Sequence, residues 1–285
     1  MAQTTPNHTQ TVSGWAAHDS SGEISPFIFK RRRTYCDQLQ FTYNGIFWDG
    51  SITYGGYSKM LVADHRYVVH VPENLPMDAA APLLCAGVTV FCPLKDHDLH
   101  KTPGKKIGVV GLGGLGHVAV KFGKAFGHQV TVISTSPSKE KEAKERLGAD
   151  HFLVSTDDQQ MQKGKRSLDF ILNTVSAKHC LGPLLELLKV NGTMVVVGAP
   201  EQPFTLPAFP IIFGKRAVKG SVIGGMEETR EMMQLCGKHN ITCDIELTTP
   251  ERINEALDRV AKNDVRYRFV IDIANAVHDP ISSNL

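Results

Sequence analysis

No run of apolar residues in this chain approaches the roughly 18 that a membrane-spanning helix requires, so the sequence offers no candidate span. No apolar segment follows the polar start, Met1 to Val12, and a secretory signal is not expected there. Paired cysteines are missing too. Cys36, Cys85, Cys92, Cys180, Cys236 and Cys243 are scattered and form no Cys-x-x-Cys. That spacing excludes a compact disulfide framework and predicts reduced thiols in a cytoplasmic protein. Charge of one sign is equally scarce, with a formal net charge of +2. The one basic cluster, Lys30-Arg31-Arg32-Arg33, is short and isolated, so neither nucleic acid nor an anionic membrane is an expected partner. What remains, 42% hydrophobic and 21% charged over 285 residues, suits a soluble globular protein of one large or two smaller domains.

Three zones follow along the chain, without internal repeats or low-complexity tracts. Residues 1–33 are polar apart from Phe27-Ile28-Phe29. Residues 34–100 predict short strands and turns at Ile46-Phe47-Trp48, Thr53-Tyr54-Gly55-Gly56-Tyr57 and Tyr67-Val68-Val69-His70-Val71, then a helix from about Met77 to Cys92 capped near Pro76. Residues 101–224 alternate strand and helix signals, and 225–285 predict two helices and a last strand.

The middle zone carries the chemistry. Lys106-Ile107-Gly108-Val109-Val110 reads as a buried strand and runs directly into Gly111-Leu112-Gly113-Gly114-Leu115-Gly116, a G-x-G-x-x-G. Such glycines permit a tight turn, a close backbone approach to a pyrophosphate, and packing of the next helix on the sheet. That helix shows in Leu115, Val118, Ala119, Phe122, Ala125 and Phe126 at helical spacing, with Gly127 as its stop. Its N-terminal amides would face the phosphates. A second strand follows at Gln129-Val130-Thr131-Val132-Ile133. Further strands are expected at His151–Val154, Asp169–Leu172, Met194–Val197 and Gly220–Ile223. The alternation implies an α/β fold, a Rossmann doubly wound parallel sheet.

Cofactor choice is written at the tip of the second strand. An NAD site places Asp or Glu there to hold the ribose hydroxyls. This tip reads Ser134-Thr135-Ser136-Pro137-Ser138-Lys139, with no carboxylate before Glu140. Hydroxyls and a lysine donate to a 2′-phosphate that a carboxylate would repel, so NADP(H) is the expected cofactor.

These motifs, together with Gly14-Trp15-Ala16-Ala17, Tyr54-Gly55-Gly56-Tyr57-Ser58, Pro82-Leu83-Leu84-Cys85-Ala86-Gly87, Val197-Gly198-Ala199-Pro200 and Tyr267-Arg268-Phe269-Val270-Ile271-Asp272, resemble the plant medium-chain alcohol dehydrogenases of the cinnamyl alcohol and mannitol dehydrogenase group. The resemblance implies reversible reduction of aldehydes to alcohols with NADPH and a catalytic zinc. It also implies a GroES-like β-barrel beside the Rossmann sheet, and dimers built on an edge strand, here Lys219 to Gly224. By the same resemblance Thr89 lies near the nicotinamide, Gly198 and Ala199 belong to the cofactor site, and the backbone of Ser221, Val222 and Ile223 meets the carboxamide.

The chain also departs from that pattern. Arg32-Arg33 runs straight into Thr34-Tyr35-Cys36, and about 80 residues of a full-length member are missing. The lost segment would carry the Gly-His-Glu motif and most zinc ligands. Cys85 matches the surviving catalytic ligand and Cys36 the last of four structural ones. A catalytic zinc needs three protein ligands, so the zinc is expected to be lost and Cys85 to be a buried core thiol. Residues 86–224 are then the nucleotide domain, with 1–85 and 225–285 the remnant of an incomplete GroES-like barrel. No catalytic residue is assigned. His117 is expected near the cofactor or facing solvent, His97 and His100 in a polar loop, and Cys180, Cys236 and Cys243 as structural thiols. Two functions stay open: an NADP(H)-dependent oxidoreductase interconverting alcohols and aldehydes, or a non-catalytic NADP(H)-binding variant that pairs with full-length relatives.

Overall fold

The computed structural model describes residues 10–17, 24–31, 41, 43–46, 49–50, 52–54, 56 and 65–273. They divide into two compact units, residues 1–56 and 57–285. In the first unit β1 (Gln10–Ala17) and β2 (Ile24–Arg31) form an antiparallel pair running from Gln10 opposite Arg31 to Ala17 opposite Ile24. A second pair, β3 (Tyr43–Ile46) and β4 (Ile52–Tyr54), is antiparallel with an irregular register. Cys36 lies outside the described residues.

The second unit opens with a departure from the sequence pattern. Instead of a strand over 67–71, residues His65–Tyr67 form a 3-10 turn, and 68–71 have no regular structure. β-branched residues alone do not make a strand when no neighbouring ladder takes their backbone groups. The helix expected from Met77 to Cys92 is also broken. It consists of α1 (Met77–Ala80), a 3-10 turn Ala81–Leu84, and α2 (Ala86–Asp96), with a bend of 53°. Pro82 withholds a backbone donor, the chain tightens, and the axis turns at Cys85.

A six-stranded parallel sheet follows, built from β5 (Lys106–Val110), α3 (Gly116–Ala125), β6 (Gln129–Ser134), β7 (His151–Val154), α4 (Asp158–Lys163), β8 (Leu168–Asn173), α5 (Gly182–Leu187), β9 (Leu188–Val196), α6 (Ala208–Ile212) and β10 (Ala217–Gly220). Strand order is β10-β9-β8-β5-β6-β7 and every pairing is parallel. This is the doubly wound Rossmann order, and it reverses between β5 and β8, where such sheets bind ligands. The last strand is Ala217–Gly220 rather than Gly220–Ile223. Ser221 still donates to the Val196 carbonyl at 3.1 Å, but Ile223 has φ +39°. A β-branched residue in that region cannot continue a strand.

Helix α2 is buried from Ala86 to Leu94 and forms the centre of the core. Phe91 lies 5.7 Å from Phe122 of α3, which is fully buried. On its other side α2 meets α7 (Met226–His239), which buries Met232, Met233 and Cys236. Truncating a buried phenylalanine such as Phe122 to alanine costs about 3–5 kcal/mol. After α7 come β11 (Ile245–Thr248), α8 (Ile253–Ala261) and β12 (Arg268–Ile271). Two strands, not one, therefore close the described chain, because β12 needs β11 as its parallel partner.

The C-terminal segment is bonded to the residues that precede the sheet. Asn74 donates to the Gly237 carbonyl at 2.8 Å, and Cys243 N–H donates to Ala79 at 3.0 Å. The second unit thus holds residues 57–85 and 225–273 together with the parallel sheet.

Candidate dinucleotide site

Two glycines of the turn after β5, Gly111 and Gly116, could not be replaced without rebuilding it. Gly111 has φ +87°, in the left-handed region, and its N–H donates to the Ile133 carbonyl at 2.9 Å. A Cβ on Gly116 would overlap the Gly111 carbonyl oxygen, so helix α3 starts as close to the turn as backbone permits. Thr174, just after β8, braces the turn, its hydroxyl donating to the Val110 carbonyl at 2.7 Å. The N-terminus of α3, with Gly113, Gly114 and Leu115 leading into it, therefore opens at the reversal point of the sheet.

Opposite this loop stands the tip of β6. Ser134 is buried and its Oγ accepts from Ser136 N–H at 3.2 Å. Thr135 is exposed, and Ser136 and Lys139 are half-buried. Lys139 Nζ reaches across to the Leu112 carbonyl at 2.9 Å, joining the strand tip to the glycine loop. Burial, then the positive charge of Arg266, lowers the Lys139 pKa below its ordinary value. The first acid after the tip, Glu140, is held by Lys144 at 2.7 Å.

Sequence reasoning left Arg268 without a role. A Cβ on Gly114 would fall 2.5 Å from Arg268 Nε, so the guanidinium lies directly over the glycine loop. Among the described residues no carboxylate pairs with it, nor with Lys139. Two cations that form no ion pair among the described residues, beside a helix N-terminus, fit a bound pyrophosphate and ribose phosphate. Just after β10, Ser221 Oγ is buried and bonded to no group among the described residues. A polar atom orphaned in this way fits a ligand that supplies the partner. Val222 and Ile223 are exposed beside it, and Gly198 and Ala199 follow β9 on the same sheet edge of the crevice. Thr89 is buried with its hydroxyl donating to the Cys85 carbonyl at 2.6 Å.

Of the two places expected for His117, the solvent-facing one is overturned: the residue is completely buried, against the glycine loop. Asp244 N–H donates to its Nε2 at 3.1 Å, so the ring proton sits on Nδ1 and goes to the Gly113 carbonyl at 2.9 Å. Burial drives its pKa down to about 4. The amphipathic spacing of α3 counts histidine as polar, and only the packed C-terminal segment turns that position inward.

Cys85 overturns another expectation. It is exposed, not a core thiol, because the bend of the helix lifts it out of the apolar face. Cys180 is exposed as well, whereas burial pushes the thiols of Cys92, Cys236 and Cys243 up to about 12. His97 ends α2, with Nδ1 bonded to the Pro93 carbonyl at 2.8 Å and Nε2 to Lys219 at 3.2 Å. His100 is half-buried. Among the described residues no group of three or more His, Cys, Asp or Glu side chains is placed to hold a metal ion. Cys85 alone does not fit the tetrahedral set that zinc requires.

Residues 114–238 match the zinc-binding dehydrogenase family. A probable cinnamyl alcohol dehydrogenase of Oryza sativa is 53% identical over 353 aligned positions, covering 95% of this chain and 98% of the rice protein. A probable mannitol dehydrogenase of Fragaria ananassa is 56% identical over 350 positions, covering 95% and 97%. Both alignments are longer than the 285 residues of the chain, so both contain gaps on its side. Among solved structures, a cinnamyl alcohol dehydrogenase of Sorghum bicolor superposes with a TM-score of 0.84 at 41% identity, covering 95% of this chain and 99% of its own. The CAD from Helicobacter pylori complexed with NADP(H) gives a TM-score of 0.77 at 38% identity, over 85% and 69%.

Proposed function

The chain belongs to the plant cinnamyl alcohol and mannitol dehydrogenase family of zinc-binding alcohol dehydrogenases, and on that premise we propose that it binds NADP(H) in preference to NAD(H). The observation that carries the reading is the tip of β6. There Ser134, Thr135, Ser136 and Lys139 offer donors where an NAD site has a carboxylate. Gly111 to Gly116 with the N-terminus of α3 would hold the pyrophosphate, and Arg268 over Gly114 would neutralise it. Ser221 Oγ would orient the nicotinamide end, with Val222 and Ile223 beside it. The bound cofactor supplies or accepts a hydride, and the substrates of that exchange are small alcohols and aldehydes.

The described residues do not fit the family's zinc, so no step is routed through it. Lewis-acid polarisation of the substrate oxygen is worth several kcal/mol in zinc enzymes, and the described residues offer no metal-holding group to supply it. The gapped alignments support an internal segment present in the relatives and absent here. That favours little or no turnover by the isolated chain.

A second reading draws on the edge of the sheet. Among the described residues β10 is paired on one side only, by β9, and Leu206, Phe209, Ile212 and Phe213 lie exposed, with the two phenylalanine rings stacked at 5.5 Å. An unpaired strand beside an apolar patch suits a second copy or a full-length relative. In that reading the chain is a cofactor-binding partner in the cytoplasm. Calorimetric titration of the purified chain with NADPH and NADH tests the first reading, which requires tighter NADPH binding. Equal affinities would reject it.

A further inference from the structure

The C-terminal segment brings a second arginine to the helical run that follows the tip of β6. Arg266 Nε lies 3.2 Å from Glu142 Oε2, with half of its side chain exposed. Glu142 belongs to the continuous helical run 137–146 and stands three residues after Lys139. Residues at that spacing share a face, which sets Glu142, and Arg266 with it, on the Lys139 side of the run. Of all charged groups Arg266 acts most strongly on Lys139. The backbone of Arg266 is fixed as well, its N–H donating to Glu246 Oε1 at 2.8 Å.

The surrounding charges do not balance. Lys121, Lys139, Arg146, Arg259 and Arg266 face the carboxylates of Glu142, Asp244 and Glu246, with Arg268 close by over Gly114. Arg146 uses Glu142 and Asp244, at 3.1 Å and 3.3 Å, and Lys121 takes Asp244 at 3.0 Å. Glu142 is therefore shared, and the positive excess collects on the side of Lys139, Arg266 and Arg268. A doubly charged phosphate is the ligand such an excess suits, and guanidinium is the group best shaped to grip it.

We propose that Arg266 is a specificity-determining residue for NADP(H). It swings from Glu142 to the 2′-phosphate and closes the subsite begun by Ser134 and Lys139. This rests on the NADP(H) reading above, from which its test is separable. Calorimetry on the wild type comes first, because a chain without NADPH preference fails that reading whatever Arg266 does. In a wild type that does prefer NADPH, Arg266→Gln is expected to weaken NADPH about tenfold while NADH stays within about twofold, and Arg266→Lys to recover most of the loss. A purely structural ion pair to Glu142 would move both cofactors together. An equal loss for NADPH and NADH, or none for NADPH, overturns the assignment. If Arg266→Gln does not fold, Glu142→Gln decides. Freeing Arg266 from its competitor should tighten NADPH relative to NADH, and an unchanged ratio overturns the assignment.

Discussion

His117 and Tyr267 lie face to face, their ring centroids 4.6 Å apart and their planes 17° from parallel. One ring belongs to the helix that follows the glycine loop and the other immediately precedes the last strand. Through this stack, and through Asp244 N–H on His117 Nε2, the C-terminal segment is locked against the start of α3. The lock holds Arg268 over Gly114 and Arg266 beside Glu142. A segment far from β5 in sequence thus reaches the glycine loop.

Acid should loosen this lock. His117 has a folded pKa of about 4 against an ordinary 6.5. The unfolded chain therefore takes up this proton first as pH falls. Its contribution to stability is fully present above pH 6.5 and is lost between there and about pH 4, on the order of 3 kcal/mol in all. His100 and His128, also lowered by burial, add in the same direction. Thermal melts from pH 7.5 to 4.5 should show a falling midpoint, with a shallower slope for His117→Gln. A midpoint independent of pH would refute the assignment.

Ser134→Asp places a carboxylate where the 2′-phosphate is proposed to sit. The buried hydroxyl and its bond from Ser136 N–H leave that position little freedom. NADPH affinity should fall by about 1–3 kcal/mol, with NADH affected less. Fluorescence titration of both cofactors checks the ratio, which should move toward NADH.

Phe213 is three-quarters exposed on the patch beside β10. If copies associate there, Phe213→Asp should shift the chain from dimer to monomer at micromolar concentration without changing cofactor affinity. Light scattering reads the mass directly. A wild type that is already monomeric at that concentration would remove the basis for the dimer.

Zinc and turnover form one prediction. Elemental analysis should find well under one zinc per chain, and assays with NADPH and coniferaldehyde or a short aldehyde should show little turnover. Cys85 and Cys180 should react with a thiol reagent ahead of Cys92, Cys236 and Cys243, as peptide mass mapping would show. Stoichiometric zinc with a protected Cys85 would mean that a ligand set forms around it.

Local signals were enough for the sheet and its loop. A valine-rich strand, glycines at fixed offsets and an amphipathic helix are determined by neighbours in sequence, so β5, Gly111, Gly116 and α3 could be read directly. The absence of a carboxylate after β6 was equally local. The rest depended on partners distant in sequence. Tyr67 to Val71 had strand composition but no ladder to join, and the helix over Cys85 looked continuous until Pro82 and the packing of α2 between α3 and α7 bent it. His117 had helical spacing that left its direction open, and Asp244 and Tyr267 turned it inward. Arg266 and Arg268 were visible as residues, but their places beside Glu142 and over Gly114 were not. Periodicity records which face of an element is apolar, whereas the meeting of two elements is decided by the closure of the core around them.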